Sequence, residues 1–278
     1  MIGFEGRDRE SLIRFLGGKS AEELLSAFND WFVPSTVDGT YLTGQPECLY
    51  KTGRIHPVDC IIGFNSSEGV GFLSDDVDTR AKAEDVIEKL IKNNFFRGHS
   101  RLIIDRIMRS VKAEYLCSEN HLRDVSNFYA DVNFVAPSLQ QAQYHSGKGQ
   151  TYIYEFDHRP FFAQSPSWVR SKHGDEILYV FGFPFLRSLP YIWPEKEQML
   201  SKLVMKYWAN FARTGNPNGQ DGTLKLWPQF KPESPCYMKI DCTTSESRRI
   251  EELRPNRIYL LNHTVPRMIE ENYEKSKY

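Results

Sequence analysis

Apolar residues recur at helical spacing, three and four positions apart, over several long stretches of this sequence. This spacing predicts helices over residues 9–32, 80–117, 120–145 and 196–213. Within the first stretch, Ser20 and Glu23 have the spacing of a capping box, which predicts the start of its second part. Gly215 follows the last stretch and is expected to end it, because glycine readily adopts the left-handed conformation found after helices.

Shorter apolar runs between these helices predict buried strands. Residues 58–64 form an apolar run that leads into polar residues, and residues 151–156 are rich in β-forming side chains. Residues 236–240 and 257–261 fit either short strands or helix starts. Helices that alternate with isolated buried strands indicate the α/β class. No linker composition divides the chain, so residues 1–278 are expected to form part of one domain.

Composition excludes several classes of protein. The 278 residues are 40% hydrophobic and 13% aromatic, which is ample for a packed core. The 35 basic and 36 acidic residues give a net charge of -1, so nothing favours nucleic acid as a partner. No apolar stretch approaches 18 residues, so no membrane span is expected. The amino-terminal residues contain no export signal, which leaves the compartment unknown.

Cysteine and asparagine patterns carry little functional information. The sequence has five cysteines, an odd number, and no C-x-x-C pair. Disulfides therefore cannot be assigned, and a metal site is not expected. Asn65-Ser-Ser67 and Asn262-His-Thr264 match the glycosylation sequon. That pattern is short enough to occur by chance, so a modified and an unmodified asparagine remain equally open.

Four ordered segments identify a family. They are Gly63-Phe-Asn-Ser-Ser-Glu-Gly69, Asp131-Val-Asn-Phe-Val-Ala-Pro-Ser138, His173-Gly-Asp-Glu-Ile-Leu-Tyr-Val-Phe-Gly-Phe-Pro-Phe185, and Met205-Lys-Tyr-Trp-Ala-Asn-Phe-Ala-Arg-Thr-Gly-Asn-Pro-Asn218 followed by Trp227-Pro228. In order and rough spacing they resemble the carboxylesterase type-B family, which includes liver carboxylesterases, cholinesterases and neuroligins. The resemblance spans roughly residues 9–262 and implies the C-terminal portion of an α/β-hydrolase fold, with an incomplete, mostly parallel sheet flanked by helices.

The resemblance implies two catalytic residues. Glu68 occupies the place of the acid in the family's G-x-N-x-x-E-G loop, and His173 opens the segment that carries the catalytic histidine. The family order of serine, acid and histidine is kept for these two. Ester cleavage needs a base of near-neutral pKa to take the nucleophile's proton, and a carboxylate that holds the imidazole in one tautomer. Asp175 and Glu176 are expected to be structural carboxylates that bond nearby backbone.

The nucleophile is missing from this sequence. No G-x-S-x-G elbow and no glycine-rich oxyanion segment occur in the 278 residues, whereas family members carry both in their N-terminal half. Losing the nucleophile and the oxyanion donors removes several orders of magnitude in rate. The chain is therefore expected to be inactive by itself, as a fragment or truncated relative, and to need a serine from residues outside it.

Two departures favour a general carboxylesterase over a choline esterase. Cholinesterases have a cysteine at the position of Ala136 and its disulfide partner near Ile258, and both are absent here, as in liver-type enzymes. Cholinesterases also tend to carry two adjacent aromatics after the acid, where this chain has Gly71 and Phe72.

Several functions therefore stay open from the sequence. The resemblance implies hydrolysis of small ester substrates without a cofactor. The alternatives are a non-catalytic, neuroligin-like adhesion or binding protein and an inactive fragment. By analogy with the family, residues 196–213 and 247–264 are candidates for a homodimer surface.

Overall fold

The computed structural model describes residues 4–6, 8–27, 36–95, 101–186, 192–219, 222–242 and 246–275. The chain divides into two compact units, residues 1–49 and residues 50–278. The helices are α1 (Arg9–Gly17), α2 (Ala21–Ala27), α3 (Pro46–Lys51), α4 (Arg80–Phe95), α5 (Arg101–Tyr115), α6 (His121–Ala130), α7 (Ala136–His145), α8 (Asp175–Val180), α9 (Glu195–Thr214), α10 (Pro255–Tyr259) and α11 (Val265–Lys275). The strands are β1 (Cys60–Asn65), β2 (Thr151–Phe156), β3 (Cys236–Ile240) and β4 (Glu246–Arg249).

The first unit contains α1 and α2, which divide the helix predicted over residues 9–32. α1 ends at Gly17 and Gly18, which accounts for the break, since glycine is a poor helix former. The predicted capping box starts the next helix: the Ser20 backbone N–H donates to Glu23 Oε2 at 2.8 Å, and the Glu23 N–H donates to Ser20 Oγ at 3.2 Å. Residues 28–32 of the prediction lie outside the described residues.

A four-stranded mixed sheet lies at the centre of the second unit, in the order β1-β2-β3-β4. β1 pairs with β2 in parallel, β2 with β3 in parallel, and β3 with β4 antiparallel. Carboxyl ends of parallel neighbours meet at the same edge of a sheet, so the segments that follow β1, β2 and β3 are brought together there. The predicted partial α/β-hydrolase architecture is confirmed.

Helices cover both faces of the sheet. Along β2, Tyr152 and Phe156 pack on one face with the apolar stripe of α9, whereas Ile153 packs on the other face with α7. This alternation follows from the two-residue period of a strand. Trp227 is fully buried on the α9 side and donates its indole N–H to the Ile153 carbonyl at 2.9 Å.

The remaining helix predictions are largely confirmed, with local differences. α4 and α5 replace one helix over residues 80–117, and residues 120–145 form one helical run in which a π-helix, Asp131–Val135, joins α6 to α7. α9 ends at Gly215 with φ 72°, as predicted. Residues 257–261 are helical, in α10 and a following π-helix, Leu260–Thr264.

A buried ion pair fixes the π-helix to the segment before α10. Asp131 is fully buried, and its carboxylate accepts a hydrogen bond from Arg254 Nη1 and one from Tyr115 Oη at 3.0 Å. Arg254 also donates from Nη2 to the carbonyl of Ser66 at 3.1 Å, immediately after β1. The pair therefore supports the loop that carries Glu68.

In the described ranges, no helix combines the length and the apolar character that crossing a bilayer requires.

Candidate active site

Glu68 and His173 lie in two loops that leave the same edge of the sheet. Glu68 is in the turn that follows β1, and His173 lies between β2 and α8, directly before that helix. Because β1 and β2 are parallel neighbours, both loops emerge at their carboxyl ends. The structure thus brings together two residues that are 105 positions apart in the sequence.

The two side chains are directly hydrogen bonded. His173 Nδ1 lies 2.6 Å from Glu68 Oε2. An ionised carboxylate can only accept, so Nδ1 carries the proton and donates it, which leaves Nε2 as the unprotonated nitrogen in the neutral ring. Glu68 is buried, whereas 53% of the His173 side chain is exposed. Nε2 has no hydrogen-bond partner among the described residues, so the basic nitrogen is available to a reacting group.

The second oxygen of Glu68 fixes the carboxylate to the end of β1. The Asn65 backbone N–H donates to Oε1 at 2.7 Å. Burial raises the pKa of Glu68, and the hydrogen bonds from Asn65 and His173 act in the opposite direction. The hydrogen bonds therefore hold the carboxylate in one orientation. The effect of burial is the larger one, so the net shift of the pKa is upward.

Asn65 connects the acid loop to the histidine loop. Its side-chain Nδ2 donates to the Lys172 carbonyl at 2.7 Å and to a carboxylate oxygen of Glu176. Asn65 is 1% exposed, so a glycan on this amide would have no room, and the unmodified alternative is the one that fits. The sequence left a modified and an unmodified Asn65 open, and it gave no sign of this connecting role, which the parallel pairing of β1 and β2 creates.

Backbone contacts hold the same two loops together. The Ser67 N–H donates to the Ser171 carbonyl at 2.8 Å, and the Arg170 N–H donates to Ser67 Oγ at 3.0 Å. Asp175 accepts from the Lys172 N–H at 2.7 Å, which confirms the structural contact predicted for it. Glu176 instead contacts the side chain of Asn65, so the expected bond to nearby backbone is replaced by one across the site.

Two aromatic rings flank the imidazole of His173. The ring centroid of Phe72 lies 5.3 Å from that of His173, and the centroid of Phe134 lies 5.0 Å from it. Tyr129 stacks on Phe72 at 5.1 Å. Phe134 comes from the π-helix between α6 and α7, so this irregular turn contributes a ring to the site. The exposed face of the histidine is therefore bordered by apolar surface.

Comparisons with known proteins identify the family of this chain. A family model described as the carboxylesterase family matches residues 1–258. The chain belongs to the carboxylesterase family. It is 32% identical to the mouse (Mus musculus) pyrethroid hydrolase Ces2a, covering 98% of this chain and 49% of the relative. It is 31% identical to the rabbit (Oryctolagus cuniculus) cocaine esterase, over 95% of this chain and 50% of the relative. It is 36% identical to mouse carboxylesterase 1D, over 80% of this chain and 40% of that relative.

The match covers only part of the length of these carboxylesterases. The chain spans about half the length of the curated relatives it matches. The resemblance to liver-type members of the family, seen in the sequence motifs, is confirmed by these relatives.

Replacing Glu68 by glutamine tests the electrostatic cost of the buried carboxylate. A carboxyl group whose pKa is raised on folding binds its proton more tightly in the folded state, so its stabilising contribution is lost as pH rises from about 4 through the folded pKa. Relative to wild type, Glu68→Gln should therefore gain stability as the pH rises above about 4. Urea unfolding at several pH values measures this, with exposed Glu119→Gln as the control. A stability difference that stays flat, or falls, over that range would contradict the expectation.

Gly69 lets the acid loop lie against α6. A Cβ at this position would lie 2.0 Å from the backbone oxygen of Ser126, a contact that no side-chain rotation relieves. Gly69→Ala is expected to cost about 1–3 kcal/mol in the free energy of unfolding, because the loop or the helix must move. Gly17→Ala, which meets nothing within 4 Å, is the matched control. Equal urea midpoints for the two variants would show that the loop does not depend on this approach.

Proposed function

We propose that this chain supplies the acid and the general base of a serine carboxylesterase. The observation that carries the proposal is the 2.6 Å contact between His173 Nδ1 and buried Glu68, with Nε2 left without a described partner. This is the arrangement in which a carboxylate orients an imidazole for proton transfer. Membership of the carboxylesterase family makes carboxylic esters the expected substrate class.

In the proposed mechanism, His173 moves one proton twice. Its Nε2 takes the proton of a serine hydroxyl as that oxygen attacks the ester carbonyl, and the Glu68 carboxylate stabilises the imidazolium that forms. The same proton then goes to the leaving alcohol, which gives an acyl-enzyme. In the second half of the cycle His173 takes a proton from water as the water attacks the acyl group, and it returns that proton to the serine oxygen as the bond to the acyl carbon breaks and the carboxylic acid leaves.

The nucleophile and the oxyanion donors come from outside these 278 residues in this proposal. The sequence contains no G-x-S-x-G elbow, and in the family that elbow precedes the acid and the histidine. The completed site would place the serine hydroxyl within hydrogen-bonding reach of Nε2.

The proposed substrates are neutral carboxylic esters or amides of modest size. Phe72 and Phe134 border His173 with apolar rings, and apolar surface favours an uncharged acyl or alcohol group near the scissile bond. The dimer suggested by analogy for residues 196–213 and 247–264 remains a prediction.

A chimera tests the proposal. These 278 residues would replace the matching half of mouse pyrethroid hydrolase Ces2a, whose remaining half is expected to supply the family's serine elbow. The chimera should hydrolyse p-nitrophenyl acetate and should be labelled by a fluorophosphonate probe at that serine. Serine-to-alanine substitution in the elbow is the control that removes both signals.

A folded chimera that binds no probe and turns over no ester would contradict the proposal and favour the non-catalytic alternative. Folding is checked independently by a cooperative thermal transition, so that an inactive chimera is distinguished from an unfolded one.

A further inference from the structure

A second buried polar cluster lies beyond the carboxyl ends of β2 and β3. His158 follows β2 and is 2% exposed, and Asp241 and Cys242 directly follow β3. Because β2 and β3 are parallel neighbours, these residues meet although 83 positions separate the histidine from the aspartate. None of the three takes part in the proposed ester chemistry.

We propose that His158, Asp241 and Cys242 form a zinc-binding site. One ligand atom from each, a ring nitrogen, a carboxylate oxygen and the thiol sulfur, lie within 4.8 Å of one another. His158 Nδ1 is 3.1 Å from Asp241 Oδ1. Nitrogen, oxygen and sulfur are the ligand atoms that Zn²⁺ uses, and three protein ligands would leave a fourth position to water.

The groups around these ligands support the assignment. A metal-bound histidine usually donates its other ring N–H to a carboxylate, which fixes the tautomer. His158 Nε2 lies 2.7 Å from Glu197 Oε2, and this oxygen also accepts from Tyr179 Oη at 2.5 Å. Nδ1 is thus the nitrogen that faces Asp241 and the thiol.

The carboxylate ligand is also held from outside. Arg170 Nη2 donates to Asp241 Oδ2 at 3.3 Å, while Oδ1 is the oxygen beside His158. The Cys242 backbone N–H donates to Asp241 Oδ1 at 2.7 Å, which keeps the two adjacent ligands close.

Charge balance favours a divalent cation. In the metal-free site both ring nitrogens of His158 face carboxylates, so a bound ion would displace the Nδ1 proton and the thiol proton, as metal binding generally does. The neutral imidazole, the carboxylate and the thiolate would then carry two negative charges, which match a 2+ ion, and the charges of Arg170 and Glu197 beside them offset each other. The thiol is uncommitted to a disulfide and partly exposed, so an ion has a route to it. Hard cations such as Mg²⁺ and Ca²⁺ prefer oxygen ligands, whereas a sulfur and a nitrogen favour Zn²⁺ and Co²⁺.

Cysteine spacing in the sequence gave no indication of this site. Metal motifs are found in sequence as closely spaced pairs, and here a single cysteine and a single histidine come from segments far apart. The bound ion would fasten the loop after β2 to the loop after β3.

Cobalt titration of the chain tests the proposal. One equivalent of Co²⁺ should bind and produce a thiolate-to-cobalt charge-transfer band in the near ultraviolet, and Zn²⁺ should displace it. Cys242→Ser should abolish the band, whereas Cys236→Ser, a partly buried cysteine in β3, should keep it. Asp241→Asn should weaken Zn²⁺ binding by at least about tenfold.

A measurement on the wild-type chain tests the same proposal even if a variant fails to fold. Zn²⁺ should slow alkylation of Cys242 by iodoacetamide, mapped by mass spectrometry, and should leave alkylation of Cys236 unchanged. The proposal is overturned if no stoichiometric Co²⁺ binds, if the band survives in Cys242→Ser, or if Zn²⁺ does not protect Cys242.

Discussion

Replacing His173 by alanine in the chimera is expected to lower kcat/KM for p-nitrophenyl acetate by about 10⁴- to 10⁶-fold. Alanine removes the only group proposed to accept the serine proton and return it to the leaving alcohol. The rings of Phe72 and Phe134 would still bind the substrate, so the loss should fall on kcat more than on KM. Initial-rate kinetics at several substrate concentrations separate the two parameters.

Exposed His263→Ala is the matched control, since it also replaces a histidine but lies in the π-helix after α10. It should retain the activity of the parent chimera. If His173→Ala kept more than a tenth of the parent activity while elbow serine-to-alanine abolished it, another base would have to serve the serine. The proposed role of His173 would then be wrong.

Asp131→Ala is expected to reduce the free energy of unfolding by about 3–5 kcal/mol. The substitution leaves the partly buried Arg254 with the more distant Glu155 carboxylate, at 4.0 Å, in place of Asp131, and it removes the acceptor for Tyr115 Oη. Removing one partner of a largely buried ion pair leaves the charge of the other partner poorly compensated. This costs more free energy of unfolding than replacing both partners with apolar side chains. Urea unfolding followed by circular dichroism gives the free energy and its midpoint.

Asp105→Ala is the comparison for this prediction. Asp105 pairs with Arg101 on the surface of α5, with 51% of its side chain exposed, so its loss should cost less than about 1 kcal/mol. A change of similar size in the two variants would show that burial does not distinguish the two ion pairs. Because Arg254 also donates to the Ser66 carbonyl, Asp131→Ala should in addition loosen the loop that carries Glu68.

Local rules account for most helix positions found in the structure. Helical spacing located α4 to α7 and α9, the Ser20–Glu23 capping box located the start of α2, and Gly215 ended α9. The break at Gly17 and Gly18 was not predicted, because apolar spacing alone does not resolve it. Spacing left strand and helix open for residues 257–261, and the structure shows that they are helical.

Recognition of the acid and the histidine came from motif resemblance, and neither residue stands out by chemistry alone. Glu68 is one acidic residue in a polar loop, and His173 is one of seven histidines. The role of Asn65 was hidden behind a sequon, because its buried amide acquires its partners only from the neighbouring loop.

The amino-acid sequence by itself determined the family, the α/β class and the pair of residues to examine, because those follow from local spacing and ordered motifs. Tertiary structure alone decided which side chains touch: Glu68 with His173, Asp131 with Arg254, and His158 with Asp241 and Glu197. For Glu68 with His173 and for His158 with Asp241, the physical reason is the parallel pairing of β1, β2 and β3, which gathers at one edge loops that are distant in the chain. The contacts of Asp131 and Glu197 depend instead on how the helices pack, which sequence spacing does not specify.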